Sequence, residues 1–242
     1  MKVFFASDIH GSTSCFRTLV NSGEFYGADV ILMGGDMAGK ELVPMVERGS
    51  GWTASFRGAV HELETREEAE EFERRVATVG PYTMRVTDEV VAELRTNQDL
   101  VEKTLRELIV ERTEELIALA VTRLQGSGTR LLIGLGNDDF DEMIPYLDAN
   151  PVAYAHDGEL DLGDVSLMSL GWSNPTPWNT NRECTEDELA GRVACSGRSS
   201  VCRSDASPLR SSRSSRRTST GRLQFAATFS VSRGSRSWAC WA

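Results

Sequence analysis

Three short apolar runs limit what this chain can fold into: residues 2–7 (KVFFAS), 29–33 (DVILM) and 130–135 (RLLIGL). Each has the length of a strand, and none shows the polar alternation of a sheet wetted on one side. Runs of this kind suit a parallel sheet covered on both faces. Between the first two, residues 12–27 carry Phe16, Leu19 and Val20 at helical spacing and stop at Gly27. The chain therefore opens as a β-α-β unit, and the expected class is α/β.

Further elements follow the same signals. Residues 139–148 read as a short helix that begins with acids and stops before Asn150-Pro151. Residues 152–155 and 165–170 read as strands, with turns at Gly158 and at Gly163-Asp164. Between about 60 and 126 the chain is rich in Glu and Arg, with Val101, Leu105, Leu108, Ile109, Leu116, Ile117, Ala120, Val121 and Leu124 on one helical stripe. Gly80-Pro81 divides this stretch into at least two helices. It reads as a helical insertion or cap, its charges forming a solvated face.

The 242 residues allow one large domain or two small ones. No run reaches the ~18 apolar residues of a membrane helix. The apolar stretch before Asp8 is too short for a signal-peptide core, which places the protein in the cytoplasm. Five cysteines, an odd number with no CxxC pair, argue against a disulfide framework. Cys15 reads as a small buried hydrophobe on the apolar side of the first helix.

The formal charge of −10 is unevenly spread. From residue 196 onward nine Arg face a single acid, Asp205, so that segment carries +8 and the rest −18. A body this acidic binds polyanions poorly unless metal ions supply local positive charge. The same 47 residues hold fourteen Ser and show no sustained helix or strand period. Residues 1–190 therefore read as the folded domain and 191–242 as a Ser/Arg-rich tail, disordered or out of frame.

Chemistry concentrates at three strand ends: Asp8-Ile9-His10-Gly11, Gly34-Gly35-Asp36 and Gly136-Asn137-Asp138. A parallel sheet gathers such sites at its carboxyl edge, where α/β proteins place their ligands. Asp, His, Asp and Asn together offer hard oxygen plus imidazole donors, a set suited to Mn²⁺, Fe or Zn²⁺.

In order and in strand-end context, these motifs resemble those of the calcineurin-like metallophosphoesterase family: DxH, then GD, then GN[HD][DE]. The resemblance covers roughly residues 1–190. It implies an α-β-β-α sandwich and hydrolysis of phosphate esters by a hydroxide bridging two divalent metal ions about 3.5–4 Å apart. Asp8 and His10 would bind the first metal, Asp36 would bridge, and Asn137 would bind the second. The implied substrate is a small phosphate ester, monoester or diester, or a nucleotide. The family's usual proton donor is a His at the position of Asp138. An Asp there acts as acid only with a raised pKa, or else it orients Asn137 or a metal-held water.

The family also uses a further His and a later GHxH motif. This chain has three histidines, His10, His61 and His156, and no GHxH. His61 and His156 read as surface or internally satisfied side chains. The tail suggests a cause. Trp-Ala-Cys-Trp-Ala at its end, read two nucleotides later, encodes Gly-(Leu/Met/Val)-Leu-Gly. In the same frame residues 225–229 can encode Cys-Gly-His-Ile, the start of such a motif. The expectation is a frameshift near residues 190–200; a native basic arm is the competing reading.

Three other readings bear on function. Gly34 to Lys40 nearly fits the phosphate-binding GxxxxGK[ST] loop, but Glu41 follows in place of the Mg²⁺-binding hydroxyl. A catalytically incomplete chain could instead act as a scaffold whose basic tail contacts nucleic acid electrostatically. Within the loop 171–183 (GWSNPTPWNTNRE), residues 171–178 resemble a stretch in a bacterial and archaeal subgroup of the family. From its residues alone it reads as a structural loop stiffened by two prolines and anchored by two tryptophans.

Overall fold

A computed structural model describes residues 1–150, 153–154, 158–163, 165–196, 228–233 and 236–240. Strand β1 (Val3–Ala6) leads through helix α1 (Thr13–Tyr26) to β2 (Val30–Met33). Ser12 caps α1 by accepting the N–H of Cys15 at 3.2 Å, and Gly27 ends the helix in a left-handed turn (φ 58°). Next come β3 (Leu42–Arg48), β4 (Gly51–Phe56), β5 (Ala59–Leu63), α2 (Arg66–Val79), β6 (Tyr82–Val86), α3 (Asp88–Thr96) and the long α4 (Gln98–Leu124). Strand β7 (Arg130–Ile133), a 3₁₀ turn (Asp141–Met143) and α5 (Ile144–Asp148) lead to β8 (Ala153–Tyr154). The chain ends in β9 (Gly158–Asp161), β10 (Ser166–Leu170), α6 (Glu186–Ser196), β11 (Thr228–Arg233) and β12 (Arg236–Cys240).

The first sheet is parallel, in the order β1-β2-β7-β8. The runs of β2 and β7 are continuous because both faces of the sheet are buried there, whereas edge strand β1 leaves Val3 and Phe5 exposed. Ile31, Met33, Leu131 and Ile133 pack with Phe16, Leu19 and Val20 of α1 and Ile109, Leu116 and Ile117 of α4. Val30, Leu32 and Leu132 pack on the other side against Leu160 of β9 and Leu167 of β10. Those strands belong to an antiparallel sheet in the order β9-β10-β11-β12, on which α6 lies. The architecture is α/β, with helices and sheets packed in layers.

The stretch read as a helical insertion differs in two ways. Residues 59–63 and 82–86 are strands of a third sheet, ordered β5-β4-β3-β6, with β6 parallel to β3. One face of it packs Val43, Met45, Ala54, Phe56 and Leu63 against Ala69, Phe72 and Val76 of α2. The helical stripe of α4 is also no outlying cap, since its Ile109, Leu116, Ile117 and Ala120 join the core of the parallel sheet.

Four smaller expectations are corrected. Cys15 is exposed, because the buried side of α1 begins at Phe16, a turn of about 100° away. Gly158 starts a strand rather than marking a turn. Helix α6 continues past residue 190 to Ser196. The tail, read as lacking strand period, supplies β11 and β12. Its Ser/Arg composition hides the alternation Phe229-Ser230-Val231-Ser232, and Gly234-Ser235 between two such runs is a hairpin signature. His156 and residues 197–227 lie outside the described residues. No helix among the described residues is long and apolar enough to cross a membrane.

Candidate metal centre

The parallel register sets the ends of β1, β2 and β7 side by side, so their following loops meet at one edge. Backbone pairing continues past the strands. Asp8 N–H donates to Gly35 O at 3.0 Å, His10 N–H to Asp36 O at 3.0 Å, and Gly11 N–H to Met37 O at 2.7 Å. These bonds hold the first two loops in fixed register and turn Asp8, His10 and Asp36 toward one point. One ligand atom from each of the three lies within 4.8 Å of the other two. His10 Nε2 stands 3.8 Å from Asp8 Oδ1.

The backbone is strained where the three converge. Asp8 (φ 60°), His10 (43°) and Asp36 (53°) all adopt left-handed conformations, as does Asn179 (49°) on the facing loop. These are four of the five non-glycine residues with positive φ among those described. Such strain persists only where surrounding contacts fix it, and it concentrates at functional sites.

The third loop braces the second. Asp138 N–H donates to Asp36 Oδ1 at 3.1 Å. Gly136 lies so close that a Cβ there would sit 2.0 Å from Asp36 Oδ1, so only glycine fits. Asp139, fully buried, accepts N–H bonds from Ala38 and Gly136, both at 2.8 Å, and so ties the two loops together. Asp138 forms an ion pair with Lys40, its own side chain 9% exposed and that of Lys40 56%. Asn137 donates Nδ2 to Thr180 Oγ1 at 2.9 Å and keeps Oδ1 as an acceptor. The parallel sheet thus joins Asp8, His10 and Asp36 in one cluster and places Asn137 and Asp138 in the loop behind it.

So many acids in one place perturb each other. Burial pushes Asp36 up from 3.8 to about 7, and Asp139, Asp138 and Asp8 add repulsion that the N–H of Asp138 only partly offsets. Burial raises Asp139 as well, against the N–H groups of Gly136 and Ala38 and the charge of Arg182. A divalent cation would offset this mutual repulsion. Two carboxylates and an imidazole, one of the carboxylates buried, fit a divalent Mn, Fe or Zn ion.

Several supporting residues escaped the sequence reading. Asp139 carried one signal, the acid at the last position of the third motif. Gly80, read only as a helix break, meets the first loop, since a Cβ on it would lie 2.3 Å from His10 O. Tyr82 Oη accepts the N–H of Gly39 at 3.0 Å. The third sheet thereby buttresses the metal loops, which no local pattern announces. His61 lies on β5 against Phe72 (ring centroids 5.0 Å apart), with Nδ1 3.3 Å from Arg75, away from the cluster.

The loop 171–183 is held mainly by Glu183, not by its tryptophans. The Glu183 carboxylate accepts from the N–H and hydroxyl of both Thr176 and Thr180 at 2.5–3.0 Å. Burial would push this group up, but those donors outweigh it and hold it at about 2. Trp172 does anchor, flanked by Arg192 (3.9 Å) and Arg182 (5.1 Å). Trp178 does not, being 74% exposed.

The near-fit to a phosphate-binding loop lacks its helix, since Lys40 is followed by strand β3. Compared with protein-family models, with curated proteins and with solved structures, the chain matches none.

Proposed function

We propose that this chain is a metal-dependent phosphoesterase of the calcineurin-like metallophosphoesterase type, acting on small phosphate esters or nucleotides. The observation that carries the reading is the convergence of Asp8, His10 and Asp36 at the carboxyl edge of one parallel sheet. The layered packing of helices and sheets is compatible with that family's sandwich and supports the same reading.

A divalent ion held by Asp8, His10 and Asp36 would polarise a phosphoryl oxygen and acidify a water. Asp36, buried at the centre, is the residue placed to serve two ions, and Asn137 Oδ1 is a further oxygen at the same edge. The described residues bring together one three-donor group, so we propose one firmly held ion, with the second site resting on Asp36 and Asn137 alone. Asp138 is an ion-paired acceptor, and its geometry favours orienting Lys40 and the Asp36 carboxylate over donating a proton. Asp139 fixes the loops and touches nothing that reacts.

The test combines equilibrium dialysis against Mn²⁺ or Zn²⁺ with hydrolysis of p-nitrophenyl phosphate and bis-p-nitrophenyl phosphate. Bound metal and turnover of at least one ester are expected, with both lost in Asp36→Asn. Bound metal with no turnover would favour the alternative, a non-catalytic scaffold, for which the single three-donor group is the supporting observation. Neither metal nor turnover would overturn both.

A further inference from the structure

We propose that Lys40 and Trp178 form a substrate-binding subsite beside the acidic cluster, suited to a phosphate ester whose alcohol carries one planar ring. This rests on the phosphoesterase reading and specifies the substrate class of that site. A cleft of about 150 Å³ lies between the second loop, the third loop and the loop 171–183. Lys40, Asp138, Phe140, Trp178, Asn179 and Asn181 are among the residues that line it. The cleft adjoins the acidic cluster through Asp138, which lines it and whose N–H donates to Asp36 Oδ1.

Size selects the ligand. A cavity of about 150 Å³ admits a benzene-sized ring, whereas a drug-sized ligand needs roughly 300–1,000 Å³. Charge selects the other end. Among the described residues lining the cleft, Lys40 is the one cation, in a neighbourhood of four carboxylates: Asp8, Asp36, Asp138 and Asp139. Its ammonium has three donors and is spent on one ion pair in a side chain that is more than half exposed. It can keep Asp138 and still donate to a phosphate oxygen.

Trp178 supplies the flat wall. Its indole is 74% exposed, and the loop that carries it is clamped at both ends of the turn. Glu183 binds Thr176 and Thr180, Asn137 donates to Thr180, and Asn181 Nδ2 donates to the carbonyl of Asp138 at 2.8 Å. Asn179, next to the tryptophan, is left-handed. A rigid loop presenting an aromatic ring binds flat groups with little ordering cost.

Calorimetry on the full chain with Mn²⁺ can test the subsite with two non-hydrolysable probes, phenylphosphonate and methylphosphonate. Phenylphosphonate is expected to bind about tenfold tighter, the scale of one aromatic stacking contact. Trp178→Ala should bring the ratio of affinities to about one while leaving the circular dichroism spectrum intact. Lys40→Ala should weaken both probes by about tenfold, the scale of one charged hydrogen bond, and Lys40→Arg should recover most of it. Equal affinity for the two probes, or a phenyl preference that survives Trp178→Ala, would overturn the subsite. Phenyl-selective binding without hydrolysis of any ester keeps the subsite and removes the phosphoesterase. Hydrolysis with no phenyl preference does the reverse, and binding of neither probe removes both.

Discussion

The proton on Asp36 couples the fold to pH and to metal. In the folded chain this carboxyl is pushed up to about 7, against 3.8 for an unperturbed Asp. Between those values the folded state holds a proton that the unfolded state has released. Stability of the metal-free protein should therefore fall as pH rises through that window, by about 1.4 kcal/mol per unit and roughly 4 kcal/mol in all. Against a total stability of about 5–15 kcal/mol, a loss of that size is easily measured. Metal works in the opposite sense, since an ion competes with the proton for the same carboxylate. Its affinity should rise toward pH 7 and then level off, with Asp36 releasing one proton per ion. Urea unfolding in the presence of chelator, at about pH 5 and about pH 7.5, should read about 2.5 kcal/mol of the stability loss. The wild type should lose stability at the higher pH and regain it with Mn²⁺. Asp36→Asn should lose less stability, the remainder coming from Asp139, which burial also raises, and should regain none with Mn²⁺. If wild type and Asp36→Asn lose the same stability over this range, Asp36 is ionised throughout and the account of its burial is wrong.

Gly136→Ala should destabilise the chain by about 2–3 kcal/mol, because a Cβ 2.0 Å from Asp36 Oδ1 and 2.5 Å from Asp36 N must displace that backbone. Metal titration should show the cluster broken, and unchanged affinity would contradict the close approach. Asp139→Ala leaves the N–H groups of Ala38 and Gly136 without their acceptor, at about 1–3 kcal/mol each, partly offset by removal of a carboxyl that burial disfavours. Hydrogen exchange at those two amides should accelerate, and continued protection would show that other acceptors hold them. Glu183→Ala frees four donors and should cost about 2 kcal/mol, with a fall in Trp178 fluorescence anisotropy. Because Glu183 is held at about 2 against an ordinary 4.5, its stabilising effect is full above about pH 4.5 and declines as pH falls, vanishing below about 2. The folded loop keeps its carboxylate through most of that range. Loop disorder already at about pH 4 would count against this.

Strands β1, β2 and β7, helix α1 and the three strand-end motifs were legible in the sequence because each is set by local chemistry. A short apolar run, a Ser cap, a left-handed Gly stop and acids just past a strand need no knowledge of distant partners. The third sheet was not legible. Its β6 pairs in parallel with β3, joining Leu42 to Tyr82, and both strands carry polar residues that mask their pattern. For the same reason the helical spacing of α4 was readable while its place in the core was not: periodicity fixes which face is apolar, not what that face meets. Asp8, His10 and Asp36 were individually visible as an order of residues. That they form one cluster, that Asp139 and Gly80 hold it, and that Trp178 stands free beside Lys40 were decided by tertiary contacts. Sequence determined the donors, since side-chain chemistry and strand-end position are local properties. Only the packed sheet decided their distances, because these depend on a register that links residues up to about a hundred positions apart.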